Sequence, residues 1–422
     1  MNPSKSNWIP KYFELLGKQK EQDQKLPQAF PSWDRDRTFY HQLQPSGIVY
    51  GFPMQLLFLD NKHLQNWSEE EALKVLLFEG FLFVEQLFGR TGEINDQLAN
   101  DIATFYDKSR LVPNPRIRLN LFGKKDPVQK LENILAHRVD LKLNFDNKLW
   151  ISYLYNSLLF HDLILFFKLQ SGFSEEQLLS RRDHVIEALL QTMSAAAHAD
   201  GKITEKEKTL FDIFLASADL SDEKTKDLKN FFKSGKGIAD INFAVVDTWL
   251  LKRYFVEIAL LTIWTDEEKH PGEDMFISNL MVKLGIDENS FDESQLTVET
   301  FIYNNYEKLP YLSEASDTQR VYGNLSNRYR RILERNKKKL AKELKESKEL
   351  VRLIALSSRR DLTPEEKEKL RLQMKDLARA IPALTVFMLP GGTVLLPLLL
   401  KIIPNLVPTA FRDNQIGTDE DE

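Results

Sequence analysis

Apolar positions recur every three to four residues along most of this chain, the spacing that places them on one face of a helix. "WSEEEALKVLLFEGFLFVEQLF" opens with Ser68 and three glutamates, a helix N-terminus, and continues with apolar spacing. Residues 1–170 alternate such patterns with Pro/Gly loops, among them "LQPSGIVYGFP" and "LVPNPRIR". "LWISYLYNSLLFHDLILFF", 149–167, is apolar enough to suggest a membrane span. Its central Asn156, His161 and Asp162 are costly in lipid and predict a buried helix instead. Residues 174–300 predict successive helices, several opening with Ser, Thr or Asp and an acidic first turn. Strand patterns are scarce, so the fold class is mainly α: a multi-domain helical protein. Its expected parts are an N-terminal helical region (1–170), an acidic helical domain (171–300), a connector (301–323) and a basic helical region with an apolar segment (324–422).

Composition changes the picture in two places. Hydrophobic residues make up 42% and charged ones 28%, an ordinary globular balance. There is no cysteine, which removes disulfides, thiolate catalysis and Cys-based zinc sites. The N-terminal stretch has no apolar run of secretory length, so the bulk of the chain is expected inside the cell. The net charge of −5 hides an asymmetry: Arg328–Ala380 carries 18 Lys/Arg against 9 Asp/Glu. That basic segment on an otherwise acidic chain suggests an anionic partner; the alternative is a solvated helix laced with i,i+4 pairs. Enzyme signatures are missing. "HRVD" at 137–140 imitates a kinase catalytic loop, but no Gly-rich phosphate loop or Asp-Phe-Gly accompanies it. The expectation is a non-enzyme.

An acidic motif occurs twice. In "HADGKITEKE", Asp200, Gly201, Ile203 and Glu207 fit the fifth, sixth, eighth and twelfth places of an EF-hand loop. The first and third places fall on Ala196 and His198, which do not supply the needed oxygens. Sixty-six residues on, "WTDEEKHPGEDMF" aligns Asp266 with Asp200 and Glu273 with Glu207. Two helix–turn–helix units packed face to face would bring four carboxylates together, and such a cluster needs a cation or protons. Calcium is the expected occupant, ahead of magnesium. The structural alternative is capping. Thr204-x-x-Glu207 is a capping box, and Glu273 holds the equivalent place after Pro271. Asp200 and Asp266 are harder to explain that way.

Residues 174–300 resemble the TerB-like domain of tellurite-resistance proteins, through "HADGKITEKE", "ASADLS" and "DEEKHPGEDMF…VKLGID". The resemblance implies an all-helical pseudo-symmetric domain whose acidic surface binds metal, with Asp200, Glu207, Asp266 and Glu273 as candidate ligands. The second copy departs from the family's Asp-Gly pair.

Between Arg379 and Lys401 lie 21 residues without charge. As one helix they would extend about 31 Å, near the thickness of a bilayer core. Pro390-Gly391-Gly392 divides the run, predicting a kinked span or re-entrant hairpin, with Pro397, Pro404 and Pro408 breaking the remainder. The soluble alternative buries this segment in a helical core. "LTPEEKEKLRLQMKDLARAIPALTVFMLPGGTVLLPLLLKIIPNLVPTAF" resembles the Letm family of mitochondrial inner-membrane proteins. The matching features are the Leu-Thr-x-x-Glu start, Asp376-Leu377 before Ile381-Pro382, and Lys401, Pro404, Asn405, Pro408 and Phe411. Gly391-Gly392 stands where those members carry an acidic residue. The family's ribosome-binding-like and EF-hand regions are expected to lie past the chain's end. The pairing of the two resemblances is similar to bacterial proteins labelled Letm-related and biofilm-associated.

Together these readings predict a membrane-attached, non-enzymatic protein on the cytoplasmic side of a bacterial inner membrane, serving cation homeostasis or envelope stress. The alternative is a soluble cytoplasmic interaction protein with its apolar tail buried. Anionic lipid is the expected partner of Arg335, Lys337, Lys338, Lys339 and Lys342. A ribosome or RNA ranks second and DNA is not expected. No aromatic residue lies between Tyr329 and Phe387 to stack on bases.

Overall fold

The structure, a computed structural model, describes residues 1–22, 34–90, 96–109, 126–140, 156–264, 270–305, 318–357, 360–381, 384 and 396–407. The described residues form seventeen α-helices, α1 to α17, and no β-strand. Two compact units divide the chain, Met1–Leu280 and Met281–Glu422. The first takes in the N-terminal region and most of the acidic segment, so no unit boundary falls at 170.

The first unit contains α1 (Trp8–Gln22), α2 (Arg35–Leu43), α3 (Glu69–Leu87), α4 (Asp96–Ser109), α5 (Pro127–Val139), α6 (Leu159–Gln170), α7 (Glu175–Ala197), α8 (Glu205–Ser217), α9 (Asp222–Ser234) and α10 (Trp249–Ile263). Helix α3 starts where the sequence reading placed it: Ser68 and Glu71 form a capping box that satisfies two of the otherwise unpaired first-turn donors. It packs against α6 so closely that a Cβ on Gly80 would meet Leu163 Cδ1 at 2.5 Å. Helix α6 is buried, as Asn156, His161 and Asp162 indicated; all three are inside the protein.

Burying those polar groups requires partners, and α6 has them. Arg138 Nε and Nη2 donate to the two Asp162 carboxylate oxygens at 2.6 and 3.0 Å, and Tyr106 Oη donates to the same carboxylate at 3.1 Å. "HRVD" is therefore the end of α5, its arginine spent on tying α4, α5 and α6 together. A second buried knot joins the 44–50 segment to α10: Arg253 donates to Glu257 at 2.5 Å, and Tyr50 Oη donates to the other Glu257 oxygen at 2.6 Å. A third pins the 57–59 backbone. Leu57 N and Leu59 N donate to Glu79 at 2.6 and 3.1 Å, and Tyr12 Oη at 3.0 Å. Aromatic rings fill the space around these knots, with Phe39, Phe78, Phe81, Phe160 and Phe166 fully buried.

Helix α11 (Pro271–Leu284) reaches the boundary of the two units. The second unit contains α12 (Glu288–Asn305), α13 (Thr318–Arg335), α14 (Lys337–Glu346), α15 (Lys348–Ser357), α16 (Pro364–Ala380) and α17 (Leu396–Leu406). Thr363 and Glu366 close a capping box at the start of α16, where Pro364 costs no hydrogen bond. The core here is aliphatic: Leu333, Leu340, Leu344, Leu353, Ile354, Leu370 and Leu399 are buried. Arg328 clamps the buried Glu299 through two bonds of 2.8 Å, fixing α13 on α12.

Candidate functional site

The repeated acidic motif folds into two adjoining helix starts. In the first copy α7 ends at Ala197, and Gly201 takes φ +84°, a left-handed turn that explains the Asp-Gly pair. Asp200 closes this turn on itself, its carboxylate accepting from Lys202 N at 2.8 Å. Thr204 then caps α8. Thr204 N donates to Glu207 Oε2 at 2.8 Å, while Glu207 N donates to Thr204 Oγ1 at 3.2 Å. Glu207 is buried. In the second copy His270 N donates to Glu273 Oε2 at 3.2 Å, and Gly272 N donates to His270 Nδ1 at 3.1 Å. His270 thus plays the part that Thr204 plays 66 residues earlier, accepting with a ring nitrogen instead of a hydroxyl. The two turns touch: a Cβ on Gly272 would lie 2.0 Å from the Ala199 carbonyl oxygen.

Three of the four candidate carboxylates, Asp200, Glu207 and Glu273, lie within the described residues. Glu207 and Glu273 each close their own cap, as the structural alternative required. Among the described residues no group of three or more His, Asp and Glu side chains is placed to hold a metal ion. Asp266 lies outside the described residues. His198 is structural, its Nδ1–H donating to the Ser194 carbonyl at 2.7 Å while its ring meets Phe232 edge-on.

The basic segment folds into α13–α16, with apolar residues inward and lysines outward. Leu340 and Leu344 face the core, while Lys337, Lys338, Lys339, Lys342 and Lys345 are exposed. Lys337, Lys338 and Lys339 make no ion pair among the described residues, and Lys342 has only the long i,i+4 contact to Glu346, 3.8 Å. Arg335 differs from the expectation: it pairs with Glu288 and Asp292 of α12 and holds the unit together instead of facing a partner. Its position two residues before the lysine run made it look like one of them. The acidic partners, more than 40 residues away in sequence, could not be seen from the run itself.

The apolar tail lies only partly within the described residues. No helix of the described residues is long and apolar enough to cross a membrane. Its described part is α17, 11 residues or about 16 Å, packed on α13 and α15 with Leu399, Ile402, Ile403 and Val407 buried. Ile381, at the end of α16, and Leu384 are buried too. Pro397 and Pro404 do not break the helix. Pro397 sits in the first turn, where its missing N–H has no helical acceptor, and Pro404 lies two residues from the end. Lys401 is on the exposed side. Pro382, Pro390, Gly391, Gly392 and Pro408 lie outside the described residues.

Residues 362–421, from the start of α16 onward, match the family model described as LETM1-like, RBD. This segment is Letm-like. The LETM1 domain-containing protein mdm28, mitochondrial, of Schizosaccharomyces pombe is 36% identical over 76 residues, 18% of this chain and 16% of that protein. The chain therefore spans a small part of that relative's length. No solved structure matches. The Letm-like segment begins at Leu362, the residue that opens the Leu-Thr-x-x-Glu motif. The matching family model itself carries the RBD description, whereas the sequence reading placed the family's ribosome-binding-like region past the chain's end.

Proposed function

We propose that this is a non-enzymatic, membrane-associated Letm-like protein that docks on anionic phospholipid through the lysine face of α14. The observation that carries this reading is the outward run Lys337, Lys338 and Lys339, unpaired among the described residues and mounted on a helix whose other face is buried. Each such lysine contributes about 1 kcal/mol near an anionic surface, and the attraction fades within a Debye length. The matched relative is named as mitochondrial, a setting that supplies anionic membrane surfaces. The reading is peripheral docking, because the tail helix α17 spends its apolar face on its own unit. The test is co-sedimentation of the full chain with vesicles containing phosphatidylserine. Binding that falls steeply between low and physiological salt supports the proposal; equal binding to neutral vesicles refutes it.

A second reading rests on the RBD description of the family model, taken as ribosome binding. The same lysines would then meet RNA phosphates, with no aromatic platform in α14 or α15 to read bases. Ribosome co-sedimentation that survives high salt, without vesicle binding, would assign the face to RNA.

The TerB-like and calcium readings keep Asp200, Glu207, Asp266 and Glu273 as candidate ligands, with Glu207 and Glu273 also closing their helix caps. Under this proposal, millimolar calcium raises the thermal midpoint by mass action on the folded state. The Asp200→Asn variant loses that rise. No movement with calcium or magnesium in the wild-type chain removes a cation from the function.

A further inference from the structure

A cleft of about 290 Å³ opens in the first unit between α6, α7 and the 245–251 segment. Its interior wall is apolar, formed by Ile164, Leu165, Val185 and Leu251, with Leu178 nearer the surface. Phe173, one of the few large apolar side chains that the fold leaves in water, lines it as well, 46% exposed. The charged groups on the same wall are mostly cationic, Lys168, Arg181 and Arg182 against Asp247, and His161, Gln177 and Thr248 complete its polar part. Arg181 is committed to Asp247 at 2.9 Å. Lys168 and Arg182 are more than nine-tenths buried, and the anions that pair with them, Asp36 and Asp183, are not part of the wall.

Arg182 is incompletely satisfied. Its Nη1 donates to Asp183 at 2.9 Å and its Nη2 to the Ala218 carbonyl at 2.7 Å. Its buried Nε has no hydrogen-bond partner among the described residues. A buried cationic donor without an acceptor costs free energy that an incoming oxygen recovers. Burial in this cation-rich neighbourhood, with Arg138 close by, also pulls the Arg182 pKa below its ordinary value. Lys168 Nζ lies 5.3 Å over the Phe173 ring and 5.5 Å over Phe167, so a cation and an apolar aromatic surface adjoin at this wall. An apolar cleft with a few convergent polar groups is the usual form of a small-molecule site.

We propose that this cleft binds a single-chain amphipathic carboxylate, its alkyl chain against Ile164, Val185 and Leu251 and its head group accepting from Arg182 and Lys168. A neutral amphiphile would gain the apolar contacts but offer Arg182 Nε only an uncharged acceptor. A short carboxylate would gain the head-group bonds without the apolar burial. Both parts of the ligand are needed, and this separates the site from a hydrophobic slot and from a simple anion site.

The test uses the full chain and three probes: decanoate below its micelle threshold, decanol and acetate, followed by titration calorimetry. Decanoate is expected to bind at least about tenfold more tightly than decanol, the worth of one charge-assisted hydrogen bond, and acetate not measurably. Arg182→Gln should remove that preference. Leu178→Trp, at a half-buried position where a larger ring fills the cleft, should abolish decanoate binding while the far-ultraviolet circular dichroism stays unchanged. If Arg182→Gln fails to fold, the Leu178→Trp result and the three-probe ranking decide. Equal affinity for decanoate and decanol overturns the head-group assignment. Absence of decanoate binding, or its persistence in Leu178→Trp, overturns the site.

Discussion

The two units solve the problem of charge in opposite ways. The first buries it: Arg138–Asp162, Glu257 with Arg253 and Tyr50, and Glu79 sit inside an aromatic core, each group tying chain segments that are distant in sequence. The second largely expels it: α14 turns leucines inward and lysines outward, and its core is aliphatic. The exceptions lie on α12: Glu299, clamped by Arg328, Asp292, paired with Arg335, and the buried Glu293. Buried pairs contribute little net stability against an apolar replacement, but breaking one is costly because a lone charge is left inside. An expelled charge costs the fold almost nothing and is available to a partner. Disruption of buried charge should therefore appear as lost stability in the first unit, and removal of exposed charge as lost binding in the second.

The largest expected effect tests the buried side. Asp162→Ala strands Arg138 and removes the acceptor of Tyr106. It should destabilise the fold by roughly 3–5 kcal/mol, read from urea unfolding followed by tryptophan fluorescence. A loss below about 1 kcal/mol, the surface-pair range, would mean that water reaches the pair and the contrast between the units is false.

Next comes the expelled charge. Replacing Lys337, Lys338 and Lys339 together by Gln should weaken binding to phosphatidylserine vesicles by about two orders of magnitude at low salt, from about 1 kcal/mol for each. Unfolding stability should hardly change. If stability falls as much as binding, these lysines belong to the fold and the functional assignment of α14 is wrong.

The pH dependence sharpens the picture inside the first unit. Burial pushes Glu79 from an ordinary 4.5 up to about 7, outweighing the three donors it accepts from. Burial, with Arg182 nearby, pushes His161 from 6.5 down to about 3. Between pH 4.5 and 7 the folded state holds the Glu79 proton more tightly than the unfolded chain, so this group makes stability fall as pH rises. Between pH 3 and 6.5 the unfolded chain binds the His161 proton more readily, so this group makes stability rise with pH. The two slopes oppose each other over their common window. Wild-type stability should be nearly flat from pH 4.5 to 6.5 as far as these two groups set it. Glu79→Gln should uncover a rise of up to about 1.4 kcal/mol per pH unit, measured by urea titrations at each pH.

The sequence was most legible where a local rule acts. Ser68, Thr204 and Thr363 all cap the helices they were read to start, because a cap needs only the next three residues. The depth of α6 was legible from Asn156, His161 and Asp162, since such groups in an apolar run must be paired inside protein. Long-range pairing was not legible. Nothing near Arg335 announces Glu288, and nothing near Arg138 announces Asp162. Pro397 and Pro404 were misread because a proline's effect depends on where the helix ends, and the end is fixed by packing. The cleft at Arg182 left only a faint trace, a lysine and two arginines on either side of a helix junction.

The smallest effect places the same contrast on one motif. Thr204-x-x-Glu207 and Thr363-x-x-Glu366 are the same capping box, one in each unit. In the first the glutamate is buried, so removing the threonine hydroxyl takes one acceptor from Glu207 N and one donor from a carboxylate shielded from water. In the second Thr363 is exposed, and Arg360 grips the Glu366 carboxylate through two bonds of 2.8 and 2.7 Å whether or not the hydroxyl is there. Thr204→Ala should cost about 1–2 kcal/mol and Thr363→Ala about 0.5 kcal/mol, the two ends of the range for helix caps. Urea unfolding of the two single variants measures the difference. Equal losses would mean that burial adds nothing to a cap's worth, and that the units differ in where they keep their charges without differing in what those charges do for stability.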